Sequence, residues 1–202
     1  VAYYFEPVGT LSIGVFQNTI SNIRNTFEFD EPEDFARFGL DPNEYPGYVI
    51  RSTLNGSGTR RFRGMEFEYR QSLSFLPGIL GGFNVFANYT RNYADQRRGG
   101  LVPHQISGGT SYGWKRISAS ARVVWTPDTP WTQNIVQQYR AERLLIDLSA
   151  SYRVTDRMTV SFSGRNVTNE PHRRVEDRPE GRIVANEEFY GTAWSMSVRG
   201  TF

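Results

Sequence analysis

The chain has 202 residues, a formal net charge of +2, no cysteine and 38% hydrophobic residues. It is long enough for one domain of ordinary size. The absence of cysteine excludes a disulfide scaffold and a CxxC metal site. No run of about 18 apolar residues occurs, which excludes a transmembrane helix but not a membrane β-barrel, whose alternating strands have a polar mean.

Nine β-strands are predicted along the chain. In nearly every one, residues of one parity are apolar, whereas those of the other are Ser, Thr, Asn, Asp, Glu or Arg. Successive side chains of a strand point to opposite faces, so each predicted strand has one oily and one polar face. The predicted strands cover approximately residues 1–6, 11–20, 60–73, 83–90, 105–112, 117–125, 144–152, 158–165 and 190–202.

The connections between these strands alternate in length. Short connections fall at residues 7–9, 75–82, 113–116 and 155–157, and long ones at 21–59, 94–103, 127–142 and 168–187. Within the first long segment, Asp30 as N-cap, Pro32 and Gly39 predict a short helix over about residues 31–38. Outer-membrane barrels have short periplasmic turns and long extracellular loops, with the oily face towards lipid and the polar face towards the lumen.

The predicted fold class is therefore all-β: an antiparallel up-and-down meander of about nine strands that forms part of a transmembrane β-barrel. A closed antiparallel barrel normally has an even number of strands, and an open sheet edge in lipid leaves unpaired backbone groups. We therefore expect these strands to belong to a larger barrel.

Several stretches carry a family likeness. They are Arg63–Tyr69 (RGMEFEY) followed by Leu76-Pro77-Gly78 and Phe83–Thr90 (FNVFANYT), Val102–Gln105 (VPHQ) at the entry to a strand, and Gly164–Pro171 (GRNVTNEP). In this order and spacing they resemble the late barrel strands of TonB-dependent outer-membrane receptors. The end of the chain resembles the signal read by the barrel-assembly machinery, carried by Trp194, Met196, Val198 and Phe202.

The resemblance implies that residues 1–202 are the C-terminal part of a plugged barrel of about 22 strands, without the plug and the early strands. It implies TonB-energised uptake of a siderophore, cobalamin or oligosaccharide in the outer membrane of a Gram-negative bacterium, with no cofactor and no enzymatic activity. The implied partners are outer-membrane lipid and lipopolysaccharide, the barrel-assembly machinery, a small-molecule substrate, and the TonB complex through the plug.

Charged residues on the polar parity are predicted to face the lumen. They are Glu66, Glu68, Arg70, Arg122, Asp147 and Arg165. Glu66 and Glu68 could also be a catalytic carboxylate pair, but lone charges are normal on the lumen side of a barrel wall. The two histidines, His104 and His172, lack ligand-spaced partners, so no zinc site is expected.

Arginines and aromatic residues of the long loops are candidate ligand contacts, because guanidinium groups bind phosphate and carboxylate through paired donors and aromatic rings stack. The alternative is a solvated loop in which nearby acids such as Glu176 and Asp177 cancel the charge. The pattern does not indicate nucleic-acid binding. The candidates are Arg97, Arg98, Trp131, Tyr139, Arg173 and Arg174.

Two other functions remain open at this point. A complete small barrel, acting as a pore or adhesin, requires a hydrogen-bonded seam between the first and last strands. A soluble carbohydrate-binding β-sandwich requires Ile146, Leu148, Val160 and Phe162 to be packed inside against a second sheet.

Overall fold

The chain is almost entirely β-structure in a computed structural model, which describes residues 1–56, 58–95, 101–133 and 137–200. A short helix, α1, spans Pro32–Arg37, and a 3-10 turn spans Gly78–Gly82. The strands are Ala2–Phe5 (β1), Gly9–Ser21 (β2), Arg24–Phe29 (β3), Ile50–Asn55 (β4), Thr59–Ser72 (β5), Phe83–Ala94 (β6), His104–Trp114 (β7), Ile117–Thr126 (β8), Thr129–Gln133 (β9), Gln137–Arg140 (β10), Arg143–Thr155 (β11), Met158–Arg165 (β12), His172–Arg178 (β13), Gly181–Glu188 (β14) and Ala193–Gly200 (β15).

The main sheet has nine strands in the order β1-β2-β5-β6-β7-β8-β11-β12-β15. The registers between β1 and β2 and from β6 through β15 are antiparallel. This confirms the predicted meander of nine strands. Three boundaries differ by three or four residues. β6 continues to Ala94 and not to residue 90, and β11 continues to Thr155 and not to residue 152. β15 begins at Ala193 and not at residue 190, because the ladder with β12 ends at the pair Arg165 and Ala193 and Asn166 turns the chain away with a φ of +50°.

Within the described residues, no second layer of protein covers the apolar face of this sheet. Aligned rows of apolar side chains run from strand to strand; one row contains Phe83, Tyr112, Ala119, Ala150, Phe162 and Met196. Leu148 is 42% exposed and Phe162 49% exposed, and on β15 Trp194 is 54% and Met196 70% exposed. Both Leu148 and Phe162 would be buried in a soluble sandwich, so that hypothesis is wrong.

The opposite face carries aligned rows of hydroxyl groups. One row joins neighbouring strands through Asn84, Ser111, Ser120, Ser149, Ser163 and Ser195. The hydroxyls of Ser120 and Ser149 lie 2.8 Å apart and those of Ser163 and Ser195 lie 2.7 Å apart, so the row is linked by hydrogen bonds. The polar parity read from the sequence is therefore one continuous polar surface.

The two ends of the sheet order are β1 and β15, and no pairing joins them among the described residues. A complete small barrel needs that seam, so it does not describe this sheet.

Two long segments predicted as loops contain further strands. Strands β9 and β10 lie within residues 127–142, and β13 and nearly all of β14 lie within 168–187; together they form a four-stranded sheet in the order β14-β13-β10-β9. Val175 of β13 is 5% exposed and is its buried hydrophobic residue. The prediction missed these strands because charged residues occupy both parities, as in His172–Arg178 (HRRVEDR).

Residues 18–62 form a separate compact unit. Its β3 and β4 are an antiparallel hairpin, which the sequence pattern did not reveal. Helix α1 confirms the predicted helix, with Pro32 in its first turn. Asp30 as the N-cap was wrong, because the N-cap is Glu31, whose side chain makes no capping hydrogen bond. Phe35 is its buried anchor, and Phe29 and Phe38 pack edge to face with ring centroids 5.4 Å apart.

Candidate ligand-binding surface

The four-stranded sheet brings together the arginines and aromatic residues of two long segments. Adjacent residues of a strand point to opposite faces, so Tyr139 and Arg140 of β10 define two surfaces. We call them the paired face, which carries Tyr139, and the arginine face, which carries Arg140.

On the paired face, each arginine meets a carboxylate. The Arg182 guanidinium donates to Asp177, at 2.7 Å, and to Asp128, and it lies 5.2 Å from the Tyr139 ring centroid. These bonds raise the pKa of Arg182, and the hydrogen bond from Arg182 lowers the pKa of Asp177. Arg173 donates to Glu187 at 2.5 Å. The paired face therefore has little charge left to attract an ion.

On the arginine face, two positive charges lie directly opposite each other. Arg140 and Arg174 are direct register partners on β10 and β13. The Arg140 guanidinium lies 3.8 Å from the Trp131 ring centroid, a cation–π contact. The Nε groups of Arg140 and Arg143 are buried without a hydrogen-bond partner. Like charges placed directly opposite on a sheet are destabilising, so this arrangement favours an anion that would bridge them.

Two carboxylates share the parity of the arginine face, and both are already occupied. Glu176 accepts hydrogen bonds from Gln138 at 2.7 Å and Arg178 at 2.9 Å. The other, Glu188, lies at the margin of the face. Tyr190 donates to it at 2.5 Å and Asn186 at 2.7 Å, while His172 lies 3.9 Å away. The hydrogen bond from Tyr190 is the main cause of the lowered pKa of Glu188, with smaller contributions from Asn186, His172 and Arg174. The same bond raises the pKa of Tyr190. Glu188 therefore offsets only part of the charge around it.

Two of these arginines were not singled out by the sequence: Arg140 of the arginine face, and Arg143, which begins the neighbouring strand β11 of the main sheet. The signal for them was weak, because an arginine at a strand end is common and only its cross-strand neighbours show whether it is paired.

The loop candidates from the sequence are distributed over both faces. Trp131 and Arg174 belong to the arginine face, whereas Tyr139 and Arg173 lie on the paired face. The sequence analysis treated these four residues as one set of ligand contacts, but the sheet places two of them on each face. Arg97 and Arg98 lie outside the described residues.

The residues predicted to face the lumen all lie on the polar parity of the main sheet. Glu68 and Arg70 form an ion pair of 2.5 Å, and Arg70 and Arg122 line one groove of about 540 Å³. Asp147 is the register partner of Arg122 and accepts the backbone N–H of Asn166 at 2.9 Å. The other two do not join this cluster; Glu66 is exposed on β5, and Arg165 ends the ladder with β15. Their orientation towards a lumen stays a prediction.

The remaining predicted features concern assembly, metal binding and membrane helices. Trp194, Met196 and Val198 are exposed on the apolar face of β15, and Phe202 lies outside the described residues. Their role as an assembly signal stays a prediction.

Over the part of the chain that the structure describes, no group of three or more His, Asp and Glu side chains could hold a metal ion. In that same part, no helix has the length and hydropathy needed to cross a membrane.

Comparison with solved structures shows the fold. The structure of the FpvAI–pyocin S2 complex matches with a TM-score of 0.55 and 16% identity, covering 97% of this chain and 26% of that chain. The ferripyoverdine receptor of the outer membrane of Pseudomonas aeruginosa, bound to ferripyoverdine, matches with a TM-score of 0.52 and 17% identity, covering 95% and 25%. The chain thus spans about a quarter of the length of either protein.

No protein of curated function matches the sequence significantly. The sequence model of the family described as TonB dependent receptor-like, beta-barrel, matches residues 2–167. That range contains most of the nine-stranded sheet, from β1 through β12. The chain therefore belongs to the TonB-dependent receptor-like β-barrel family.

Proposed function

We propose that this chain is the C-terminal part of the barrel of an outer-membrane receptor that takes up an anionic ferric siderophore with energy delivered through TonB. The observation that carries the proposal is the family match over residues 2–167, on a sheet with one apolar and one polar face. The family consists of receptors and transporters and not of enzymes. The plug and the early strands are proposed to lie elsewhere in the receptor.

The siderophore class is supported by two independent features. One solved structure with this fold is a receptor bound to ferripyoverdine. In this chain, the Arg140 guanidinium lies against Trp131, Arg174 is its register partner and Arg143 begins the next strand, and no carboxylate of a described residue lies within ion-pair distance of the three. Carboxylate and phenolate oxygens of a chelate accept bonds from guanidinium groups, and its aromatic parts stack on an indole. A neutral oligosaccharide would leave three arginines without counter-charge.

The proposed route connects this surface to the main sheet. Arg143 begins β11 on the same parity as Asp147 and Ser149, so the arginine face continues into the polar surface with its hydroxyl rows. A ligand captured by Arg140 and Arg174 would leave along uncharged hydroxyl groups, which hold it less strongly than guanidinium groups do.

The test is uptake by the full-length receptor in a strain that lacks its own siderophores and receptors, with and without TonB. Iron-55 bound to anionic siderophores, labelled cobalamin and a labelled oligosaccharide are supplied in parallel. We expect TonB-dependent uptake of one ferric siderophore only. Uptake of cobalamin or the oligosaccharide, or uptake of iron that does not require TonB, would refute the proposal.

The arginine face is tested by substitution in the same receptor. Arg174→Gln and Arg140→Gln should each weaken siderophore binding about tenfold, since a charge-assisted hydrogen bond contributes roughly 1.5–3 kcal/mol. Arg178→Gln is the matched control, because Arg178 lies on the same strand and is ion-paired with Glu176 at 2.9 Å. Equal losses in all three variants would show that the arginine face is not the contact surface.

A further inference from the structure

A cleft of about 380 Å³ lies wholly within the compact unit of residues 18–62. This volume is near the small end of the range of small-molecule pockets, which is roughly 300–1,000 Å³. Three aromatic residues, Phe35, Tyr45 and Tyr48, contribute to its lining together with the acid Asp30. No arginine or lysine is among the described residues that line it. The cleft is therefore aromatic and acidic, unlike the arginine face.

A proline–glycine turn sets the two tyrosines of the cleft at right angles. The backbone N–H of Tyr48 donates to the carbonyl oxygen of Tyr45 at 3.2 Å, across Pro46 and Gly47. Gly47 has a φ of +77°, as the third residue of a type II turn requires. The two tyrosine rings have centroids 5.9 Å apart and an interplanar angle of 85°. Rings at right angles form a corner and not a flat stack, so both can contact one group.

The two tyrosines are open to solvent, whereas the rest of the apolar lining is held in place. Tyr48 is 66% exposed and Tyr45 37% exposed, but Phe35 of α1 is only 4% exposed. Pro32, Pro42 and Pro46 also line the cleft. Each proline fixes its φ and has no backbone N–H. The cleft is therefore rigid, and the prolines offer a ligand no hydrogen-bond donor.

Acidic residues surround the cleft along the chain. Residues 30–49 contain six acidic residues and one arginine, Arg37. Among the described residues, Asp30 has no basic side chain within ion-pair distance. Glu28, which does not line the cleft, is by contrast paired with Arg51 at 2.8 Å. The carboxylate at the cleft is therefore free to meet a positive charge, and the surrounding acids would repel an anion.

We propose that this cleft binds the methylated ammonium group of a small organic cation. The faces of aromatic rings attract cations, and aromatic cages recognise quaternary ammonium groups. The methyl groups of the cation would contact the tyrosine rings and the prolines, and Asp30 would supply the counter-charge. A primary ammonium presents three hydrogen-bond donors and matches a lining of rings and prolines less well. This site is independent of the arginine face and of the transported anion.

The test is saturation-transfer NMR on the purified full-length receptor, in a detergent without choline headgroups. This measurement detects weak binding of small probes. The probe is choline, and its control is the neutral alcohol in which carbon replaces the choline nitrogen. We expect choline to bind and the neutral alcohol to bind at least about tenfold more weakly, because it has the same shape but no charge. Equal binding of the two, or no saturation transfer to choline, would overturn the proposal.

Substitutions in the same receptor assign the binding to the cleft. Tyr48→Phe keeps the ring and should bind choline like the unchanged receptor, whereas Tyr48→Leu keeps an apolar side chain without a ring and should weaken binding about tenfold. Asp30→Asn should weaken it by a similar factor. The matched control is Glu33→Gln, which removes an exposed acid of α1 that does not line the cleft.

The control variant should change choline affinity less than about twofold, because charges exposed to water interact weakly at a distance. Amide hydrogen exchange in β3 and β4 would check that the unit stays folded in each variant. Equal affinities of Tyr48→Phe and Tyr48→Leu, or equal losses in Asp30→Asn and Glu33→Gln, would refute the assignment of the cation to this cleft.

Discussion

Gly109 is the position where the main sheet tolerates a side chain least. It lies on β7 between Phe86 of β6 and Arg122 of β8. A Cβ added there would lie 2.3 Å from the carbonyl oxygen of Ala121 and 2.9 Å from the Phe86 ring. Ordinary contact begins at 3.4 Å, so the shortfall to Ala121 is 1.1 Å (3.4 minus 2.3). Because the obstacle is backbone, a rotamer change cannot relieve it.

The cost of Gly109→Ala follows from that distance. Separating β7 and β8 by about 1 Å lengthens the neighbouring N–H···O bonds beyond the normal range of about 2.7–3.2 Å. Each such bond contributes a net stabilisation of roughly 0.5–1.5 kcal/mol. We expect the loss of two bonds and the displacement of the Phe86 ring to lower the free energy of unfolding by about 2–4 kcal/mol. Amides of β7 and β8 should then exchange hydrogen about 30–1,000 times faster, since about 1.4 kcal/mol is a factor of ten.

The matched control is Gly14→Ala on β2, where an added Cβ meets nothing within 4 Å. There the substitution should leave exchange unchanged or slow it, because glycine inside a strand is less favourable than alanine by roughly 0.5–1 kcal/mol. Exchange would be measured on the full-length receptor in detergent. If the amide hydrogens of the Gly109→Ala and Gly14→Ala variants exchange at the same rates, the close approach of β7 and β8 at Gly109 is wrong.

Two predictions concern the four-stranded sheet. Arg182→Ala should speed amide exchange in β13 and β14, because it removes the bond to Asp177 of β13 and the bond to Asp128, and it should leave the main sheet unchanged; equal exchange in both sheets would contradict this. Tyr190→Phe should raise the pKa of Glu188 towards its ordinary value. A lowered folded-state pKa contributes stability that is present above the unfolded pKa and lost as pH falls through the folded one. Acid-induced opening of β14, followed by exchange, should therefore begin at higher pH in this variant, and an unchanged onset would count against the Tyr190–Glu188 bond.

The nine strands of the main sheet were predictable because nearly every strand has one polar and one apolar face. That difference imposes the two-residue alternation along β11, for example, where Leu148 and Ala150 alternate with Ser149 and Ser151. Alternation is a local property, so it can be read from one strand at a time. The end of a strand is less certain, as at residue 190, since it depends on the partner strand.

The four-stranded sheet could not be predicted in the same way. Its strands are short, and both parities are polar, so no alternation is present. Its stability comes from cross-strand pairs such as Arg173 with Glu187 and Gln138 with Glu176. Such pairs depend on a register that single strands do not specify, and the register shift between Gln138 and Tyr139 shows how little sequence spacing decides.

The same reasoning explains why the candidate contacts were only partly predictable. Every arginine carries the same charge, but whether its guanidinium is free to bind a ligand depends on the side chains that lie opposite it. Arg70, Arg173, Arg178 and Arg182 each meet a carboxylate and are explained by the fold alone.

Three other arginines, in contrast, are partly desolvated and meet no carboxylate at ion-pair distance in the part of the chain that the structure describes: Arg140, Arg143 and Arg174. A desolvated cation without a counter-charge is costly, and the Nε groups of Arg140 and Arg143 are buried without a partner. A fold that needed these arginines only for solubility would leave them in water. Their burial therefore supports the proposal of an anionic ligand.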